Sequence, residues 1–273
     1  MEREGGEDDE IVCLDESFFI NDNYQLTTFT FGAQVIDLHC LQSASNCKCG
    51  LTDYIHMSAD FDLTGQLVWP GAVLLNDYLS KNAEMLQGRS IIELGSGVGI
   101  TGILCSRFCR EVVLTDHNEE VLKILKKNIE LHESSQNSLC CAELKAEKLE
   151  WGNSDQLNCI LQGHPKGFDL VLGADIYIQI CTIHQLVLYA CFIVCNCFQQ
   201  SSIPLLFDTV EKLLGVAREK KCKFILAYVS RAKVMDTLVI SEAIRHGLQI
   251  NEVTGTQAVV KNLEGVVFEV TLG

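Results

Sequence analysis

The sequence has little positive charge: 21 lysine and arginine residues stand against 36 aspartates and glutamates in 273 residues, giving a net charge of −15. No cluster of lysine and arginine stands out along the chain. Proteins that bind nucleic acids or anionic membranes carry such clusters, because the phosphate groups they contact are negatively charged. The charge balance therefore argues against a nucleic-acid or membrane partner and favours a basic protein partner.

The amino-terminal residues also lack the apolar stretch of a secretory signal peptide. Residues 1–10 are mostly acidic, whereas a signal peptide has a basic start followed by an apolar segment. We expect residues 1–23 to be an acidic, disordered N-terminus, since so polar a segment has too little apolar surface to form a core. A cytoplasmic location is the corresponding expectation, with a nuclear location also open.

A complete set of metal ligands is missing too, although the chain has 14 cysteines. Without a secretory signal we expect reduced thiols and no disulfide framework. Cys40, Cys47 and Cys49 come closest to a zinc site, but zinc ordinarily takes four ligands with paired spacing and no fourth is obvious. We therefore predict no metal. Cys105 and Cys109, four residues apart on one helix face, are expected to be small apolar fillers.

The most informative segment, residues 90–116, reads SIIELGSGVGITGILCSRFCREVVLTD. Two short apolar runs within it, 91–94 and 112–114, contain β-branched residues and are typical of buried parallel strands. A helix is predicted between them. Asp116 ends the second run, at the position where a carboxylate accepts hydrogen bonds from the ribose hydroxyls of a bound cofactor. From the residues alone, Asp116 can equally cap the following helix.

Gly95, Gly97 and Gly99 form the turn between the first strand and this helix. Glycine lets the backbone turn sharply and lie close to a ligand. The spacing differs from the G-x-G-x-x-G turn that cradles the pyrophosphate of a dinucleotide. Glu93, two residues before the first glycine, would repel a pyrophosphate and suits a cationic ligand. The segment therefore favours a cationic cofactor over a dinucleotide.

The rest of the chain predicts a doubly wound α/β fold. Strands and helices alternate from residue 68 to residue 273, and such sheets bind ligands at the carboxyl ends of their strands. Residues 24–67 alternate and are rich in β-formers, which predicts an N-terminal β-rich extension. The third, fourth and fifth strands are predicted at about 140–146, 168–175 and 224–229, and a closing pair of strands at 248–253 and 266–272. The helices are predicted at about Ala72–Leu86, His117–Glu133, Leu205–Glu219 and Lys233–His246.

The glycine turn and Asp116 resemble motif I and the acidic loop of the seven-strand S-adenosylmethionine-dependent methyltransferases. Within that class, the chain from about Leu67 to the carboxyl end resembles the family 16 protein-lysine methyltransferases of the methyltransferase-like 21 type. The further marks are Val68-Trp69, Leu149-Glu150-Trp151-Gly152 and Gly173-Ala174-Asp175. The resemblance implies a mostly parallel, seven-stranded Rossmann-like sheet and S-adenosyl-L-methionine as cofactor. It also implies methyl transfer to the ε-amine of lysine in a protein, by a monomer.

The resemblance assigns roles to individual residues. Asp175 and Tyr177 would be catalytic, Asp175 by orienting the amine and Tyr177 by lining its channel. In particular, Asp116 would hold the ribose and the two tryptophans would flank the cofactor. The cofactor-binding residues would be Trp69, Glu93, Gly95, Gly97, Gly99, Asp116, Trp151 and Ala174.

The family carries Asp-x-x-Tyr after the fourth strand, whereas here Tyr177 follows Asp175 after a single residue. This shift leaves two alternatives open. One is methylation of a small molecule or of histidine. The other is a non-catalytic binding protein with the methyltransferase fold.

Residues 180–199 form an anomalous apolar insertion. The run from Ile180 to Phe198 has no charged residue and contains four of the 14 cysteines. By length it is a borderline membrane span, but a crossing there would divide the domain. Without the insertion a short connection remains, and Pro204 is predicted to begin the next helix. A retained intron, a buried or lid-forming helix, and a membrane anchor are the three hypotheses.

Overall fold

The computed structural model describes residues 24–41, 64–134, 142–175, 188–217, 219, 221–231, 233–260 and 262–273. For residues 188–201 only the helical backbone is described. The predicted disordered N-terminus and the predicted catalytic Tyr177 lie outside these ranges, as do Cys47 and Cys49.

The strands are β1 (Gln25–Phe31), β2 (Gln34–Cys40), β3 (Ser90–Leu94), β4 (Glu111–Asp116), β5 (Glu143–Lys148), β6 (Leu170–Ala174), β7 (Lys223–Val229), β8 (Leu248–Glu252), β9 (Ala258–Val260) and β10 (Leu263–Leu272). The helices are α1 (Pro70–Lys81), α2 (Ile100–Cys105), α3 (Glu119–Glu133), α4 (Ser154–Gly163), α5 (Leu188–Val216) and α6 (Lys233–Arg245). Short 3-10 turns occupy Thr64–Gln66 and Ala83–Met85.

The central sheet has the strand order β5-β4-β3-β6-β7-β10-β8, and β9 pairs with β10. β3 to β7 pair in parallel, while β10 runs antiparallel to both β7 and β8. The chain proceeds outward from β3 to β5 and then returns to place β6 on the other side of β3. This reversal creates a crevice at the carboxyl ends of β3 and β6, where doubly wound sheets bind ligands. The predicted fold class is confirmed.

Hydrophobic cores lie on both faces of the sheet, because successive side chains of a strand point to opposite sides. Ile91 and Val112 pack against α1, α2, α3 and the hairpin formed by β1 and β2. Ile92 and Val113 pack against α4, α5 and α6. All four side chains are fully buried. Because both faces of the sheet are buried, the sequences of these strands are continuous apolar runs. Cys105 and Cys109 are buried in the first core, as predicted, but α2 ends at Cys105, so the two do not share a helix face.

The side chain of Asn128, in α3, joins the hairpin to the main domain. Its amide oxygen accepts a hydrogen bond from His39 N at 2.8 Å, and its amide nitrogen donates to His39 O at 3.0 Å. The same nitrogen donates to Val98 O at 2.9 Å. Val98 belongs to the glycine turn, so the fully buried Asn128 fixes the predicted N-terminal β-extension directly onto that turn.

Several observed element boundaries differ from the predicted ones. α1 ends at Lys81 rather than near Leu86, because the Asn82 side chain donates to Tyr78 O and competes with the backbone. α4 is not predicted at all, although Asn153 caps it. Strand β5 begins three residues later than expected. α5 begins at Leu188, earlier than the helix predicted at Leu205–Glu219, and contains Pro204. The residues before it contain no glycine or other proline, so the helix continues through them.

The apolar insertion is only partly described. Residues 180–187 lie outside the described ranges, and residues 188–199 form the amino-terminal part of the α5 backbone. Among the helices that the structure describes, none is long and apolar enough to span a membrane. The origin of the insertion stays a hypothesis, which sequencing of the transcript across Gln179 to Gln200 tests.

Candidate active site

Three carboxylates gather at the edge of the sheet where the chain reverses. Glu93 lies near the end of β3, Asp116 ends β4, and Asp175 directly follows β6. β3 pairs in parallel with β4 on one side and with β6 on the other. All three side chains are buried. The three residues therefore lie at or near the carboxyl ends of three neighbouring strands.

The glycine turn between β3 and α2 has a backbone that only glycine adopts readily. Gly95, Gly97 and Gly99 have φ values of 65°, 53° and 90°, in the left-handed region that side chains disfavour. A Cβ atom at position 97 would lie 2.8 Å from the carbonyl oxygen of Gly65, and one at position 99 would lie 2.4 Å from Leu125 Cδ1. The turn is therefore closely packed against the chain segment that precedes α1.

Asp116 connects this turn to the start of α3. Its Oδ2 accepts a hydrogen bond from Gly97 N at 3.2 Å, and its Oδ1 accepts one from Asn118 N at 3.0 Å. The cap of α3 is the Asn118 side chain, which accepts from Glu120 N and Val121 N, so Asp116 is not that cap. A carboxylate offers about four acceptor sites. Asp116 can thus orient the turn and also suits the hydroxyls of a ribose.

Glu93 is buried against the first turn of α2. Its Oε2 accepts a hydrogen bond from Gly102 N, in the first turn of α2, at 3.0 Å. Its backbone carbonyl accepts from the Thr115 hydroxyl at 2.7 Å. Burial raises the pKa of the Glu93 carboxyl to about 7, while hydrogen bonds, including that from Gly102, oppose the shift. Through these contacts Glu93 holds α2 against β3. Its predicted contact with the cofactor stays a prediction.

The raised pKa of Glu93 makes stability depend on pH. The folded protein holds a proton on Glu93 up to about pH 7, whereas the unfolded chain releases it near its ordinary value of 4.5. The free energy of unfolding therefore falls between these two pH values as pH rises. Glu93→Gln keeps an acceptor oxygen for Gly102 N but cannot ionise. We expect its stability relative to wild type to rise by up to about 3 kcal/mol between pH 4 and pH 8.

Urea unfolding of both proteins across that pH range measures this difference. A stability difference that stays constant from pH 4 to pH 8 would mean that Glu93 titrates normally in the folded protein.

Asp175 lies in a buried network at the start of α1. One carboxylate oxygen accepts a hydrogen bond from Gly71 N, and the other lies 3.4 Å from Arg231 Nη2. Asp175 has a φ of 48°, and its own N–H donates to Ala227 O at 3.1 Å. The observed contacts make Asp175 an anchor for α1. The expected role of orienting an amine gains no support from them and stays a prediction.

The two tryptophans lie in different surroundings. Trp69 directly precedes α1, and the guanidinium carbon of Arg231 lies 5.3 Å from its ring centroid. Trp151 follows β5 and packs partly buried against the second core. Ala174 ends β6 and is half-buried.

Sequence reasoning missed Arg231, although its position just after the predicted strand at 224–229 is a signal that could have found it.

Comparison with known proteins identifies the family. Residues 55–192 match the family model described as lysine methyltransferase, which is half of the chain. The chain belongs to the lysine methyltransferase family. The matched region contains the glycine turn, Asp116 and Asp175, so the family assignment and the crevice geometry concern the same residues.

Curated relatives support the assignment over part of their length. The chain is 36% identical over 124 residues to the protein N-lysine methyltransferase METTL21A of Danio rerio, covering 45% of this chain and 53% of that protein. It is 30% identical over 142 residues to the calmodulin-lysine N-methyltransferase of Arabidopsis thaliana, covering 50% of this chain and 44% of that protein. The chain thus spans about half the length of these relatives.

A solved structure supports the fold. The 16S rRNA N2 G1207 methyltransferase of T. Thermophilus, determined with AdoMet and guanosine, matches with a TM-score of 0.50 and 15% identity, covering 92% of this chain and 51% of that chain. At this level of identity the match concerns the shared Rossmann-like methyltransferase fold. It agrees with the mixed α/β architecture and mostly parallel sheet described above.

Proposed function

We propose that this chain transfers a methyl group from S-adenosyl-L-methionine to a protein, with the ε-amine of lysine as the acceptor. The observation that carries the proposal is the position of Asp116 and the glycine turn, side by side at the strand ends, within the region that matches the lysine methyltransferase family. The relatives named above methylate lysine according to their names, which supports the choice of acceptor.

The residues present fit the proposed cofactor. Asp116 would accept hydrogen bonds from the ribose hydroxyls, and the backbone of Gly95, Gly97 and Gly99 would cradle the methionine part. Trp69 and Trp151 would flank the bound molecule. The cofactor, when bound, supplies an electrophilic methyl group on a sulfonium. Asp116 would serve a ribose in a dinucleotide site as well, so the match to the lysine methyltransferase family supports the choice of S-adenosyl-L-methionine.

The protein's main contribution to catalysis would be positioning and desolvation of the acceptor. A lysine has a reference pKa of about 10.4, so making the neutral amine near pH 7 costs roughly 4 kcal/mol. An apolar channel lowers the amine pKa because it disfavours the charged form. Tyr177 would line such a channel, and holding the amine in line with the methyl group supplies the remaining advantage.

We propose a basic, lysine-bearing protein as substrate, because the chain carries a net charge of −15 and opposite charge speeds encounter. The same charge is unsuited to nucleic acid and to anionic membranes. We further propose that the protein acts as a monomer in the cytoplasm, with the nucleus as a second location.

Transfer of labelled methyl groups into a cell lysate tests the proposal. The expected result is label in protein, recovered on hydrolysis as methyllysine. Label on histidine or in small molecules would instead support the alternatives that the early position of Tyr177 leaves open. Cofactor binding without any transfer would make the chain a non-catalytic protein with the methyltransferase fold.

A further inference from the structure

Arg231, which follows β7, is a largely buried arginine without a role in the function proposed so far. Its side chain is 16% exposed, and Asp175, its ion-pair partner at 3.4 Å, has a side chain that is only 2% exposed. Burying a guanidinium is unfavourable unless a well-placed anion compensates. Removal of either charge would therefore leave the other buried without its ion-pair partner, so the two groups depend on each other.

The pair stands at the amino end of α1. The residue that directly precedes this helix, Trp69, makes no side-chain hydrogen bond to the helix N–H groups. Asp175 substitutes for the missing cap, since its carboxylate accepts from Gly71 N, and a negative charge there also suits the helix dipole. A Cβ atom on Gly71 would lie 2.6 Å from the carboxylate carbon of Asp175. The approach of the two elements therefore depends on glycine at that position.

Arg231 also contacts Trp69 itself. Its guanidinium carbon lies 5.3 Å from the centre of the Trp69 ring, within the range of a cation–π contact. One guanidinium thus touches the residue before α1 and neutralises the carboxylate that caps it. Asp175 is also the residue at which the chain leaves β6, two positions before Tyr177.

The loop that carries Arg231 is held in place from both sides. The Tyr228 hydroxyl and the Ser230 hydroxyl donate to the two carboxylate oxygens of Asp236, at 2.5 and 2.9 Å. The backbone N–H of Ser230 donates to Glu264 O at 2.8 Å. Because these contacts fix the loop before any ligand arrives, Arg231 is pre-organised against Asp175 and Trp69.

We propose that Arg231 is a positioning residue of the candidate active site. The proposal rests on the proposed function, and it assigns to Arg231 the placement of Trp69 and of Asp175. Asp116 and the glycine turn lie on β3 and β4, on the other side of the strand reversal. Trp69 would also flank the cofactor, but Asp116 and the glycine turn would hold the ribose and the methionine part, so we expect loss of Arg231 to lower kcat more than it weakens cofactor binding.

Three variants test this role: Arg231→Gln, Arg231→Lys and, as a matched control, Arg110→Gln. Arg110 also pairs with an aspartate, Asp169 at 3.8 Å, but it is 63% exposed and precedes β4 at the opposite edge of the sheet. For Arg231→Gln we expect kcat of methyl transfer to fall about tenfold or more, since small misplacements are costly. We expect the cofactor Kd to change by less than about threefold.

Arg231→Lys keeps the charge but not the planar fork, so its kcat should lie between those of wild type and Arg231→Gln. The control should resemble wild type in kcat and in cofactor Kd. An unchanged kcat in folded Arg231→Gln, or a cofactor Kd that worsens as much as kcat falls, overturns the proposal. If Arg231→Gln does not fold, the changes in kcat and in cofactor Kd are compared for Arg231→Lys instead.

A second measurement does not depend on activity. The chain has two tryptophans, so in a Trp151→Phe background Trp69 is the only tryptophan, and excitation selective for tryptophan reports on it alone. We expect acrylamide quenching of Trp69 to rise about twofold when Arg231→Gln is added, because the guanidinium no longer covers the ring, and to stay unchanged with Arg110→Gln. Unchanged quenching overturns the proposal. If the wild type transfers no methyl group, the proposed function fails, while the quenching result still decides whether Arg231 holds Trp69.

Discussion

Gly97→Val is expected to abolish measurable binding of S-adenosyl-L-methionine. Gly97 has a φ of 53°, where a β-branched side chain is strained. Its Cβ atom would lie 2.8 Å from the backbone oxygen of Gly65, so the turn or the segment before α1 must move. Together these effects amount to roughly 3 kcal/mol, which weakens Kd about a hundredfold or more. The Gly97 N–H would also be displaced from Asp116.

Calorimetric titration measures this loss, and thermal unfolding without cofactor shows whether the fold persists. Gly88→Val is the matched control. Gly88 has a φ of 64°, yet a Cβ atom there meets nothing within 4 Å, and the residue precedes β3 at the other edge of the sheet. The control should lose some stability and keep its affinity. Normal binding by folded Gly97→Val would mean that the cofactor lies elsewhere.

Asp116→Ala is expected to weaken cofactor binding by about 1.5–3 kcal/mol, the range for hydrogen bonds to charged groups. The structure adds a second consequence. Asp116 accepts from Gly97 N and from Asn118 N, so the variant leaves two backbone donors without their acceptor. The loss of each such partner costs about 1–3 kcal/mol when the donor stays buried. We therefore expect a lower melting temperature as well as weaker binding.

Asp169→Ala separates these two effects. Asp169 accepts a hydrogen bond from Ser90 N at 2.9 Å, at the amino end of β3 and far along the strand from the crevice. The Asp169→Ala variant should have a lower melting temperature and an unchanged cofactor Kd. If Asp116→Ala folds and binds S-adenosyl-L-methionine as tightly as wild type does, Asp116 does not hold the ribose.

The cofactor side of the site could be predicted because its signals are local. Gly95 to Gly99 and Asp116 lie within one strand-turn-helix-strand unit, and each residue type is demanded by the backbone or by the ligand chemistry. The capping of α3 by Asn118 is equally local, but the sequence does not identify the cap, because Asp116, two residues earlier, also has a side chain that can cap a helix. The hydrogen bonds in the structure show that Asn118 is the cap.

The acceptor side could not be predicted in the same way. Gly71 and Asp175 are 104 residues apart, and Arg231 is 56 residues from Asp175. No periodicity or spacing in the sequence indicates that residues so far apart along the chain share one buried network. The same holds for Asn128, which binds the hairpin backbone 89 residues away. These contacts arise from the strand order, so they follow only once the topology is known.

Titration of the intact chain with S-adenosyl-L-methionine, and separately with NAD, tests the central claim most directly. We place a cationic cofactor at the glycine turn and Asp116, and we therefore expect saturable binding of S-adenosyl-L-methionine at one site and no binding of NAD. Binding of NAD with no binding of S-adenosyl-L-methionine would contradict it, because the crevice would then be a dinucleotide site.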